Sequence, residues 1–148
     1  MIQILLEAVA GSREKNRYNE QTLELQATRT ISHPYPYPYG FIIGTTAQDG
    51  DAVDCYLITR EAFDAGDIVD CEPIGLLEQF EGEELDHKVL AALPGQQIAI
   101  TAELHMELQD FIYAIFSDAP DFPIRVGTIR SREEALRHIR EHRKGDQA

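Results

Sequence analysis

Three aspartates stand close together in the segment QDGDAVDCYLI (residues 48–58), in the order D-x-D-x-x-D. Asp49 and Asp51 flank Gly50, which allows a tight turn, and Asp54 lies at the start of an apolar run that predicts a strand. A D-G turn between two strands explains Asp49 and Gly50. It does not explain Asp54, because a carboxylate among apolar neighbours is costly to bury unless a cation or hydrogen-bond donors compensate it. The three carboxylates together predict oxygen ligands for a hard divalent cation.

An EF-hand calcium loop is the alternative that this spacing raises. Such a loop has Gly at its sixth position and Glu at its twelfth, where this chain has Asp54 and Arg60. Mg²⁺ keeps several waters and is bound through one or two carboxylates together with phosphate oxygens. The pattern therefore favours Mg²⁺, with Mn²⁺ as a substitute, over a closed Ca²⁺ cage.

A segment of alternating tyrosine and proline, HPYPYPYG (residues 33–40), precedes the aspartates. Proline fixes the backbone angle φ, so the segment should be stiff. Tyr35 and Tyr37 are also consistent with packing in a barrel, where tyrosine often serves a structural role. The arrangement raises the question of why a stiff tyrosine segment should lie ten residues ahead of a carboxylate cluster.

The elements that must position these groups can be predicted from the pattern of apolar residues. With 148 residues and 43% apolar content, the chain suits one domain, residues 1–148, with a proper core. Short β-type runs between Gly, Asp and Pro predict a small barrel. The runs cover residues 2–10, 23–27, 39–45, 53–59, 68–80 and 88–93.

Two helices are predicted in the last third of the chain. Apolar residues recur at helical spacing between Leu104 and Ile115. A second helix should begin at Ser131, which forms an S-x-x-E capping box with Glu134, and residues 145–148 should fray. The expected fold is α+β, mainly β: a barrel with two flanking helices.

Charge and composition exclude several classes of partner. Acidic residues outnumber basic ones 26 to 13, and the formal charge of −13 repels nucleic acid and anionic lipid. The N-terminus lacks a basic signal region, and no run reaches the roughly 18 apolar residues that span a bilayer. Cys55 and Cys71 are expected to be reduced core thiols, and the five histidines show no metal-ligand spacing. We therefore expect a cytoplasmic protein.

Two longer segments resemble the soluble family I inorganic pyrophosphatases. They are YPYPYGFIIGTTAQDGDAVDCYLI and CEPIGLLEQFEGEELDHKVLAAL, and the similarity covers about residues 7–92 and VGTIRSREEALRHI near the end. The resemblance implies a five-stranded OB-like barrel and Mg²⁺-dependent hydrolysis of pyrophosphate to two phosphates. It also implies a homo-oligomer, since bacterial relatives are commonly hexamers.

The resemblance assigns a role to each matching residue. The metal ligands would be Asp49, Asp54, Asp86 and Glu81, and Asp51 would be the general base. Groups facing the phosphates would be Lys15, Arg29, Tyr39 and Lys88, with Glu7 and Tyr35 in an outer shell. The tyrosine segment would then present Tyr39 to a phosphate held by metals. Taken alone, Lys15 and Arg29 are more typical of surface cations, and the EGEELDHK segment of a solvated loop.

Four positions depart from the family pattern. Arg17 stands where the family carries a metal-binding carboxylate, and Gly82 replaces one of two acidic residues. Phe116 and Ser117 align with a Tyr-Lys pair of a phosphate site. Arg17 would replace part of the charge of a further metal by contacting phosphate, or would point to solvent beside Glu20 or Glu24. Two alternatives to a pyrophosphatase follow: an enzyme for another phosphoanhydride or phosphoester, and a non-catalytic metal- or phosphate-binding relative.

Overall fold

The computed structural model of the chain describes residues 1–47 and 50–143, in which we find nine strands and two helices. The strands are β1 (Ile2–Ala8), β2 (Glu14–Tyr18), β3 (Leu25–Thr30), β4 (Tyr39–Ile42), β5 (Asp54–Leu57), β6 (Ile68–Glu81), β7 (Glu84–Leu85), β8 (Lys88–Ala92) and β9 (Ile124–Arg130). The helices are α1 (Ala102–Ile115) and α2 (Arg132–Glu141). The predicted fraying of residues 145–148 lies outside the described residues.

Five of the strands close into a ring. β1 pairs with β4, β4 with β5, and β8 with β6, all antiparallel, while β5 and β8 are parallel. The long β6 completes the ring by pairing its first residues with β1, and its later residues also pair with β9 and β7. The predicted mainly β fold, a five-stranded barrel with two flanking helices, is confirmed.

A two-stranded sheet, β2 with β3, lies apart from the ring. The sequence pattern did not predict β2, because EKNRY lacks the apolar alternation of a half-buried strand. It also placed the third strand at residues 23–27, whereas β3 covers Leu25–Thr30, all exposed. Pairing within this hairpin, rather than burial, determines both strands.

Alternation along the ring strands directs neighbouring side chains to different apolar clusters, two of which include a helix. Ile4, Cys55 and Val89 pack in one cluster with Ala135 and Ile139 of α2. The other cluster joins Tyr35, Tyr39, Tyr56 and Leu90 to the buried face of α1, which is formed by Leu104, Leu108, Phe111 and Ile112. The two helices therefore cover different parts of the barrel.

Both predicted helices are confirmed, and each is capped by a side chain. The Ser131 hydroxyl accepts a hydrogen bond from the Glu134 amide at 3.2 Å, as the capping box predicts, and Thr101 caps α1 in the same way. The thiols of Cys55 and Cys71 are both buried and free. Neither described helix is long and apolar enough to cross a membrane.

Candidate active site

The centre of the site is a buried lysine held between two aspartates. The ammonium of Lys88 lies 2.6 Å from Asp54 Oδ2 and 2.9 Å from Asp86 Oδ2. Parallel pairing of Cys55 with Val89 sets Asp54 and Lys88 side by side at the starts of β5 and β8. The side chains of all three are mostly buried. Lys88 thus supplies part of the positive charge that the buried carboxylate of Asp54 needs.

Negative charge is only partly balanced in this centre. Burial, with the charge of Asp54 adding to the shift, raises the pKa of Glu7 to about 7. Burial also raises the pKa of Asp86, although Lys88 opposes this. Burial by itself would lower the pKa of Lys88, but the charges of Asp54 and Asp86 raise it, so Lys88 stays cationic. More carboxylates than cations meet here, and an additional cation would stabilise them.

Tyrosine rings line the same centre. Tyr35 stacks on Tyr39 with ring centroids 5.2 Å apart, and Tyr39 contacts Tyr56 at 4.8 Å. The ammonium groups of Lys15 and Lys88 each lie 5.8 Å from the centroid of the Tyr39 ring. Burial raises the pKa of Tyr39, with Asp54 adding to the shift, so its phenol remains a hydrogen-bond donor.

The strand that follows the tyrosine segment is held very close to its neighbour. A Cβ at Gly40 would clash with the carbonyl oxygen of Leu5 on β1, so only glycine allows this approach. Pro38 accepts a hydrogen bond from the Leu57 amide at 2.8 Å. The segment is therefore tied to both β1 and β5, which positions Tyr39 beside Asp54 and Lys88.

Cations approach from the β2–β3 hairpin. Lys15 and Arg29 are directly paired across the two strands, and Arg17 lies two residues further along β2. The side-chain amide of Asn16 donates to the Glu7 carbonyl at 2.9 Å, which joins the hairpin to β1. Arg17 is exposed, lines the cavity and forms no salt bridge within the described part of the chain.

The loop before β5 carries Asp51. Gly50 has φ of +89°, as the predicted tight turn requires, and the Ala47 amide donates to the Asp51 carbonyl at 2.6 Å. Asp51 is exposed and lines the cavity. The prediction for Asp49 lies outside the described residues.

A cavity of about 990 Å³ brings together every other residue predicted for the site. These residues are Glu7, Lys15, Arg17, Arg29, Tyr35, Tyr39, Asp51, Asp54, Glu81, Asp86 and Lys88. Among residues 1–47 and 50–143, no three His, Cys, Asp or Glu side chains are already arranged to hold a metal ion. The ammonium of Lys88 instead bridges the two buried aspartates.

Sequence reasoning missed several residues that line this cavity. Gln79 is buried on β6 beside the Glu81 segment, and the Glu20 carboxylate accepts from the Ala52 amide at 3.0 and 3.1 Å. An apolar wall, defined here as Ile31, Ile112, Ile115 and Phe116, lines another part, and of these the sequence had placed only Phe116 at the site. Gln79 could have been predicted, because residues two apart on a strand share a face and Glu81 was predicted for the site. Nothing in the local sequence indicated Glu20.

Other predicted features lie away from the cavity. The Tyr37 hydroxyl donates to Glu107 at 2.6 Å, which agrees with a structural role for this tyrosine. His87, His138 and His142 form a row of rings, with centroids 5.8 and 4.3 Å apart. The row joins α2 to the start of β8.

A family model described as inorganic pyrophosphatase matches residues 4–145 of this chain. Curated relatives with that name include the protein of Nostoc sp. (strain PCC 7120), 37% identical over 93 residues. That alignment covers 62% of this chain and 55% of the relative. The Mycoplasma pneumoniae protein is 34% identical over 63% of this chain and 52% of its own length. The chain thus spans about half the length of these two relatives.

Solved structures of inorganic pyrophosphatases share the fold. The structure from Helicobacter pylori superposes with a TM-score of 0.87, 22% identity, and coverage of 99% of this chain and 93% of its own. The structure from Thermus thermophilus gives a TM-score of 0.80 and 24% identity, over 93% of this chain and 86% of its own.

Proposed function

Because the chain belongs to the inorganic pyrophosphatase family, we propose that it is an inorganic diphosphatase, hydrolysing pyrophosphate to two phosphates with Mg²⁺. The observation that supports this proposal best is the buried Asp54–Lys88–Asp86 cluster, which lines one cavity together with Lys15, Arg17 and Arg29. Carboxylates suit a hard cation, and the cations suit the phosphate oxygens.

The residues fit a divalent cation by their chemistry. The donors are oxygens, and burial raises the pKa of Glu7 and of Asp86, so a bound cation would stabilise their ionised forms. Asp49, Asp54, Asp86 and Glu81 would hold the cation. Mg²⁺ bound there supplies Lewis-acid charge that favours ionisation of water and neutralises phosphate.

The chain's own groups would then bind and orient the substrate. Lys15, Arg29 and Tyr39 donate to phosphoryl oxygens and stabilise charge that develops on them. Lys88 keeps Asp54 and Asp86 together and lines the same pocket. Asp51 accepts the proton of the water that attacks one phosphorus. The bond from that phosphorus to the bridging oxygen breaks, and the second phosphate leaves with that oxygen.

Phosphate release from pyrophosphate tests this proposal, with Mg²⁺, Mn²⁺ or EDTA in parallel. Turnover is expected with either metal and should disappear in EDTA. Failure to release phosphate with both metals, from protein that is folded by circular dichroism, would reject the pyrophosphatase assignment.

A second candidate is hydrolysis of a phosphoanhydride or phosphoester that carries an organic group. The apolar wall of Ile31, Ile112, Ile115 and Phe116 favours it, since inorganic pyrophosphate has no apolar surface to cover. The same assay with triphosphate, nucleotides and a simple monoester separates the candidates. Faster release from an organic substrate than from pyrophosphate would favour the second.

Three further expectations stay predictions: a cytoplasmic location, a homo-oligomer such as the hexamer common among bacterial relatives, and one domain over residues 1–148. Light scattering on the eluting protein measures the oligomer directly. A monomer mass near 16.7 kDa would contradict the oligomer.

A further inference from the structure

Gln79 carries a buried oxygen with no hydrogen-bond partner. The residue is 2% exposed, and its Oε1 is the one buried side-chain polar atom without a partner among the residues that the structure describes. Such groups are rare in folded proteins because burial removes their hydrogen bonds to water. An oxygen of this kind indicates a partner that the protein itself does not provide.

The position of Gln79 identifies the surroundings of this oxygen. Alternation along β6 places Gln79 on the same face as Glu81, and both line the main cavity. Its backbone is fully used, since its carbonyl accepts from the Asp86 amide at 2.9 Å and its amide donates to His87 Nδ1 at 3.0 Å. Of the polar atoms of Gln79, only the side-chain oxygen lacks a hydrogen-bond partner.

Turning the side-chain amide over does not remove the problem. In the present orientation Nε2 faces Glu81 Oε2 at 3.4 Å, a long contact. In the reverse orientation the carbonyl oxygen would face that carboxylate, and the NH₂ group would lose its acceptor. A carbonyl directed away from Glu81 is therefore the better arrangement, and it leaves an oxygen acceptor unpaired.

We propose that Gln79 Oε1 is an additional oxygen ligand for a divalent cation held with Glu81 and Asp86, bound directly or through one water. An amide carbonyl is a neutral, hard donor of the type that such cations accept. This inference rests on the proposed function, because it adds a ligand to the same site. The cation supplies the partner that the buried oxygen lacks.

The test compares wild type with Gln79→Leu and Gln79→Glu. Thermal unfolding is measured in EDTA and in Mn²⁺, and Mn²⁺ affinity by electron paramagnetic resonance. In EDTA, Gln79→Leu should be at least as stable as wild type, because it removes an unpaired buried acceptor. Its Mn²⁺ dissociation constant should rise by roughly 10-fold or more, and its Mn²⁺-induced rise in Tm should shrink. Gln79→Glu, which keeps an oxygen, should bind Mn²⁺ at least as tightly as wild type.

Gln96→Leu is the matched control. Gln96 also donates to a glutamate, Glu61, but it is exposed and does not line the main cavity. The Mn²⁺ affinity of the Gln96→Leu variant should equal that of wild type. If Gln79→Leu does not fold, Gln79→Met repeats the test with a side chain of similar length that has no carbonyl.

Two results would overturn the inference. An unchanged Mn²⁺ affinity in Gln79→Leu, with pyrophosphate hydrolysis by wild type intact, rejects the role of Gln79 and leaves the proposed function standing. Absence of Mn²⁺ binding and of hydrolysis in wild type rejects both.

Discussion

The barrel centre, which is the Asp54–Lys88–Asp86 cluster, and the β2–β3 hairpin line the same cavity, but their charged groups differ in exposure to water. Asp54, Asp86 and Lys88 are mostly buried, and they belong to or adjoin strands of a closed ring. Lys15, Arg17 and Arg29 stand on a separate two-stranded sheet with one wholly exposed strand.

This difference separates two kinds of energetic role. Charges in the barrel are desolvated, so changing one should affect both stability and chemistry. Charges on the hairpin remain in contact with water, so changing one should affect substrate binding with little effect on folding. Four predictions test whether the division holds.

Lys88→Met tests the barrel side and should have the largest effect. Removing the ammonium leaves two buried carboxylates facing each other, a change that costs about 3–5 kcal/mol in the free energy of unfolding. Urea denaturation at pH 8 in EDTA measures it, at a pH above the raised pKa of Asp86 in the wild type. A loss below about 1 kcal/mol in the free energy of unfolding would show that the cluster is effectively solvated. The barrel centre would then not differ from the hairpin in this respect.

Asp51→Asn tests an exposed group on the loop before β5. Hydrolysis of pyrophosphate should fall by roughly 10²–10⁴-fold, the usual effect of losing a positioned base. The urea midpoint should hardly change, since the carboxylate is exposed. Near-normal turnover in this variant would remove Asp51 from the role of base.

His138→Gln extends the comparison to α2, which packs on the barrel through Ala135 and Ile139. Burial, and then the charges of His142 and His87, lower the pKa of His138 to about 4. The unfolded chain, with a histidine pKa near 6.5, binds more protons than the folded one between these values. The contribution of His138 to stability is therefore complete above about pH 6.5 and is lost as the pH falls through 4.

Urea midpoints measured between pH 4 and 7 check this prediction. The wild-type midpoint should fall as the medium becomes acidic, and His138→Gln should fall less steeply. Equal slopes would mean that α2 behaves like the hairpin, with its titratable groups effectively in water.

Arg17→Glu tests the hairpin and should have the smallest effect. If Arg17 contacts phosphate, the variant should raise KM for pyrophosphate by about three- to tenfold, near 1 kcal/mol, and require more Mg²⁺ for half-maximal activity. Its stability should match wild type. Arg140→Glu makes the same change in net charge on an exposed position of α2 and serves as the control. Metal and substrate curves identical to those of wild type would make Arg17 a surface residue without function.

Local patterns were sufficient for the elements whose stability depends on neighbours in sequence. The capping box at Ser131 and the helical spacing of Leu104 to Ile115 predicted both helices, because such interactions reach only three or four residues along the chain. The turn at Gly50 and the strand after Asp54 followed for the same reason. The resemblance in the tyrosine and aspartate segments then indicated the family.

Other features depend on contacts between distant segments. EKNRY becomes a strand only because residues 25–30 pair with it, and Lys15 meets Arg29 through that pairing. The salt bridges of Lys88 require the parallel pairing of β5 with β8, which are separated by the whole of β6. The unpaired oxygen of Gln79 is equally invisible in sequence. The sequence by itself determined the helices and most ring strands, because short-range periodicity encodes them, and the resemblance of its tyrosine and aspartate segments indicated the family. The tertiary structure alone decided which charges are buried together, because burial and pairing depend on segments brought together by ring closure.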